Sequence, residues 1–133
     1  MADIDPVVRQ MILCDDVVPN ARSPLKHDTC GLIHSVIADT PGQLPVVLPV
    51  LCVYLQLTGG RGTGAVQVVA TEADTGDPVF ASPAYTVTYP PDPLLVVPLM
   101  IRILNCRFPR TGLYWIEFRH SGRELMRQPV GVR

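Results

Sequence analysis

Near its C-terminal end the chain alternates Tyr114, Ile116 and Phe118 with Trp115, Glu117 and Arg119. That two-residue period suits a strand with one face packed and the other wet, and it fits a helix poorly. Pro109 and Gly112 place a turn ahead of it, and Gly-x-Tyr at a strand start is the pattern of a tyrosine corner, in which the phenol hydroxyl bonds back to the preceding loop. Ser121-Gly122 supplies the small, φ-permissive residues of a tight hairpin, and Arg123 to Val132 then returns as a last strand. The chain is expected to end in a β-hairpin whose packed face carries Tyr114, Ile116 and Phe118.

The preceding residues follow the same grammar. Strands are expected over residues 10–14, closed by Asp15-Asp16, and over 30–38, 50–58, 65–72, 78–81, 85–89 and 97–104, with Pro, Gly, Asn and Asp clusters between them. Pro45 and Pro49 bracket a short apolar segment that reads as an edge or a connector, because proline has no amide proton for a central ladder. Residues 50–58 are apolar on both faces, with Leu51, Val53, Leu55 and Leu57 on one and Val50, Cys52 and Tyr54 on the other. Such a strand is central, or its second face is covered. The sum is an all-β chain forming a single immunoglobulin-like antiparallel β-sandwich of seven or eight strands over residues 1–133.

Length and composition narrow the classes. A chain of 133 residues makes one domain with a core of its own. Charged residues are 17% against an apolar content of 47%, so the surface is short of charge, which favours burial against a partner or a second copy. Fourteen prolines suit an all-β protein that guards its strand edges with proline instead of lysine. The net charge is −1 and the basic residues are scattered, which argues against nucleic acid as a partner. Met1 to Pro6 is acidic where a signal peptide is basic, and no apolar run approaches the roughly 20 residues of a membrane span. Cys14, Cys30, Cys52 and Cys106 lie in apolar runs without a Cys-x-x-Cys pair, and read as buried free thiols in a reducing cytoplasm.

Several constellations invite a chemical reading. The loop Gly59-Gly60-Arg61-Gly62-Thr63-Gly64 lacks the Gly-Lys-Ser/Thr ending of a P-loop and opens no helix, but Gly60, Arg61 and Gly62 can form an anion nest from consecutive amides. Asp15, Asp16, Asp74, Asp77 and Asp92 fall in turns, as in C2-type sandwiches that collect loop aspartates around Ca²⁺, although no dense Asp-x-Asp-x-Asp run is present. His27, His34 and His120 show no paired spacing with the cysteines of the kind Zn²⁺ uses, and no Gly-x-Ser-x-Gly elbow accompanies the serines. Trp115, outward beside Glu117 and Arg119, has the composition of an interface anchor with a charged rim, or else lies under a loop such as residues 90–93.

Taken in order, Leu13-Cys14-Asp15-Asp16-Val17, Gly31-Leu32-Ile33, Pro49-x-Leu51, Asp74-x-Gly76, Phe108-Pro109-x-x-Gly112-x-Tyr114 and Gly122-x-x-Leu125 resemble a bacterial family of small Ig-like sandwiches known only as a domain of unknown function. The resemblance spans nearly the whole chain and implies that fold and a bacterial cytoplasmic setting, with no activity, cofactor or catalytic residue to carry over. The expected role is a non-catalytic protein-interaction or self-assembly module, whose partner is another protein or a second copy. The alternative is a C2-like Ca²⁺-dependent membrane or ligand-binding module.

Overall fold

In the computed structural model, which describes residues 3–133, the chain is all β, with ten strands and no helix among the described residues. They are β1 (Val7–Pro19), β2 (His27–Leu32), β3 (Ser35–Val36), β4 (Val46–Thr58), β5 (Thr63–Glu72), β6 (Pro78–Ala81), β7 (Tyr85–Thr88), β8 (Val97–Phe108), β9 (Gly112–His120) and β10 (Arg123–Val132). One sheet runs β2-β1-β4-β8 and the other β3-β10-β9-β5-β6, with β7 paired to the other end of β5. Leu51, Val53, Leu55 and Leu57 of β4 meet Tyr114, Ile116 and Phe118 of β9 and Val66, Val68 and Ala70 of β5 in one continuous core. Each large side chain so buried contributes about 1.5–3 kcal/mol.

The packed face of β9 is the expected one. Tyr114 also makes its corner: the hydroxyl donates to the Arg110 carbonyl at 2.7 Å and accepts from the Arg110 amide at 3.2 Å. The strand count and boundaries differ from the sequence reading. Residues 30–38 do not form one strand but divide between β2 and β3, with the chain left-handed at Gly31 (φ 67°) and a break at Ile33-His34. β3 pairs with β10 in parallel, so the sandwich is not purely antiparallel. Residues 46–49 are the first part of β4, paired with β8 on one side and, among the described residues, with no strand on the other. That vacant side is how a strand containing Pro49 is central further along.

β1 explains the vacancy. It pairs with β4 only from Val7 to Cys14 and with β2 only from Cys14 onward, so it changes partners at one residue. The Asp15-Asp16 pair that reads as a strand end marks a bend instead. Beyond it, Val17 packs on Cys14, Cys52 and Tyr54, the His27 ring lies 5.7 Å from that of Tyr54, and Asp16 meets Arg102 of β8. The β1–β2 ribbon therefore doubles back over the outside of its own sheet and covers the second apolar face of β4. Cys14, Cys52 and Cys106 are buried free thiols, whereas Cys30, on the ribbon, is exposed, contrary to its expected burial: it lies on an arm that has solvent on its far side.

Candidate functional site

The outward face of the six-stranded sheet carries the side chains first singled out. Trp115 is half-buried, and within the chain the Arg127 guanidinium of β10 lies over it, 4.0 Å from its ring centroid. Glu117 accepts from Thr71 at 2.7 Å and from Arg119 Nε and Nη2 at 3.1 and 2.9 Å. Trp115, Glu117 and Arg119 thus lie on one face of β9, Arg119 paired with Glu117 on the same strand and Glu117 also with Thr71 of β5.

The Gly-rich loop is shaped by what packs on it. A Cβ on Gly60 would strike the Tyr89 ring, one on Gly62 (φ 74°) the Asp3 carboxylate, and one on Gly64 the His120 imidazole. Asp3 lies against Gly62 and accepts from the Thr63 N–H at 3.4 Å, and Arg61 exchanges two 3.0 Å backbone hydrogen bonds with Ile4. Behind the loop His120, 1% exposed, is held between Tyr89 Oη (2.6 Å) and Asp5 (3.0 Å), and Arg123 pairs with Asp5 at 3.0 Å. The alternation that buries Tyr114, Ile116 and Phe118 extends to His120, the last residue of β9.

The turn aspartates are dispersed. Asp16 binds the Val17 amide at 2.8 Å and Arg102 at 2.6 Å, Asp15 sits beside Gly31, Asp74 and Asp77 belong to the β5–β6 turn, and Asp92 caps the Leu94 amide at 2.9 Å. Among the described residues no three His, Cys, Asp or Glu side chains group closely enough to hold a metal ion. Burial pushes the Cys14 thiol up to about 12, Cys106 to about 11 and the Tyr89 phenol to about 12, and raises Cys52 as well. Burial is the leading cause of each of these shifts.

The outward side of the four-stranded sheet is different in kind. The arm covers β4, but among the described residues β8 has no strand on its far side, and its outward Met100 and Leu104 are 52% and 63% exposed. Arg102 between them is turned onto Asp16. Under the arm's tip, a cavity of about 420 Å³ opens between the ribbon and the sheet. Sequence alternation in β8 marks Met100, Arg102 and Leu104 as one face, but only the topology makes β8 an edge.

The chain belongs to the family of unknown function DUF6941, whose sequence model matches residues 9–133. No curated protein matches it.

Proposed function

We propose that this member of DUF6941 is a non-catalytic assembly module that pairs with a second copy of itself along β8. The observation that carries the reading is a twelve-residue edge strand without lysine, with outward Met100 and Leu104 uncovered. Natural edges of that length are usually shortened, charged or capped, because unpaired amides and carbonyls template another strand. Here the guards lie at the ends, Pro98 on one side and Asn105 in a left-handed conformation (φ 54°) on the other. Between them residues 99–104 carry a single charge, Arg102, already matched by Asp16. Antiparallel pairing across a two-fold axis keeps outward residues opposite outward residues. Centred on Arg102, it sets Met100 against Leu104 of the second copy and joins the two four-stranded sheets.

The wider setting we read as a bacterial cytoplasm and the sandwich as immunoglobulin-like, supported by free thiols and by the tyrosine corner at Tyr114. Sedimentation of the wild type beside Leu104→Lys tests the assembly. The expected result is a dimer that the substitution converts to a monomer with the fold retained. A wild type that sediments as a monomer at roughly 100 μM, where weak self-association is already populated, overturns it.

A further inference from the structure

The cavity under the arm's tip gathers positive charge and admits no acid. Arg9 comes from β1, Lys26 and His27 from the arm, and Tyr54 and Gln56 from β4, while Leu25, Val96 and Pro98 supply an apolar wall. Among the described residues neither Arg9, Lys26 nor His27 takes part in an ion pair, and no Asp or Glu lines the cavity. Asp28, next to His27 on the arm, accepts from Asn20 Nδ2 at 2.9 Å, and Asp16 of the arm is paired with Arg102. Tyr54 Oη accepts from Gln56 Nε2 at 3.0 Å, which leaves the phenol proton to donate elsewhere. At about 420 Å³ the space has the size of a small-molecule site.

We propose that this cavity binds a small phosphate monoester carried on an apolar or aromatic body. Charge selects the headgroup. Arg9 and Lys26 are two fixed cations, and a phosphate monoester carries about −1.5 to −2 at neutral pH, so the site and the ligand neutralise one another where a monocarboxylate leaves a cation unmatched. The guanidinium offers its planar fork, Lys26 a point charge, and His27 and the Tyr54 hydroxyl further donors. The body lies against Leu25, Val96 and Pro98, beside the tilted His27–Tyr54 ring pair. Because one wall is the arm and the other the sheet, the ligand bridges the two. The site uses only Pro98 of β8, and it stands whether or not β8 pairs with a second copy.

The test is an amide-resolved NMR titration at low ionic strength with phenyl phosphate, run beside inorganic phosphate and phenol. Phenyl phosphate is expected to saturate, to shift amides at residues 25–27 and 54–56, and to bind more tightly than either fragment. Arg9→Gln and Lys26→Gln are each expected to weaken it about tenfold, the worth of one charge-assisted hydrogen bond, with the thermal midpoint unchanged. Failure to saturate by about 10 mM overturns the proposal. So does undiminished binding to Lys26→Gln, or inorganic phosphate binding as tightly as its phenyl ester.

Discussion

Trp115 and Tyr54 hold corresponding positions, each an aromatic side chain on the outward face of a central strand, yet they are covered in different ways. Trp115 lies half-buried under one guanidinium reaching from the next strand. Tyr54 is 4% exposed under a length of β-ribbon. The difference follows from what surrounds each. On β9 the outward neighbours are Glu117 and Arg119, which satisfy one another and Thr71 across adjacent strands, so water is an acceptable outer layer. On β4 they are Val50, Cys52 and Gln56; Gln56 bonds the Tyr54 hydroxyl, while Val50 and Cys52 leave apolar area that only another layer removes from water. A sheet face short of charge is finished by backbone, and here the backbone is the chain's own.

The comparison is broken most forcefully by truncating the two aromatics. Tyr54→Ala opens a cavity between sheet and arm and is expected to cost about 3–5 kcal/mol in denaturant unfolding, as for an aromatic residue in a core. Equal costs for Tyr54→Ala and Trp115→Ala would mean that the arm covers Tyr54 without packing on it.

Titration separates the two faces as well. Cys14 lies under the arm, and its thiol is pushed from an ordinary 9.0 up to about 12, chiefly by burial. The unfolded chain therefore releases this proton first. The stability it contributes is whole below pH 9 and is lost as pH rises towards 12. Wild type is expected to lose more stability than Cys14→Ala between about pH 8 and pH 10.5, measured as the shift in denaturation midpoint. Parallel losses would show that the thiol is as well hydrated as in the unfolded chain.

On the polar face the expected effects are smaller. Trp115→Ala and Arg127→Ala should each cost about 1 kcal/mol, and the double variant little more than either, since both remove the same stacked pair. Additive costs in that double-mutant cycle would place the support for Trp115 elsewhere.

How much of this was legible follows from where the partners lie in sequence. β9, its packed face, the corner at Tyr114 and the closing hairpin rest on one continuous stretch, residues 110–132, and alternation with turn chemistry is enough to place them. Residues 50–58 announced a covered second face, but the cover was sought in a partner. The arm that supplies it is displaced by a bend at Cys14-Asp15-Asp16, and a bend with continued strand hydrogen bonding has the same local pattern as a strand end. The glycines of residues 59–64 read as an anion nest because the bulk that Gly60, Gly62 and Gly64 make room for, Tyr89, Asp3 and His120, lies far away in the chain. The cavity under the arm was not foreseen: Arg9, Lys26 and Tyr54 share no motif and meet only because the arm folds back.

The smallest expected effect on stability tests the arm most directly. Arg102 and Asp16 join β8 to the arm at 2.6 Å, but their side chains are 52% and 47% exposed, so solvent screening holds the pair's contribution to between about 0 and 1 kcal/mol. Arg102→Ala should therefore barely move the unfolding midpoint. Its effect belongs to local opening, which a thiol reagent reads separately from global unfolding. In the native wild type Cys30 is exposed and should label at once, while Cys14 and Cys52, neutral and buried, wait for the arm to lift. With Arg102→Ala those two should label several-fold faster, and Cys106, buried in the main core, should not change. If all three buried thiols instead accelerate together, the arm does not open on its own, and the ribbon over β4 is part of the same cooperative unit as the sandwich beneath it.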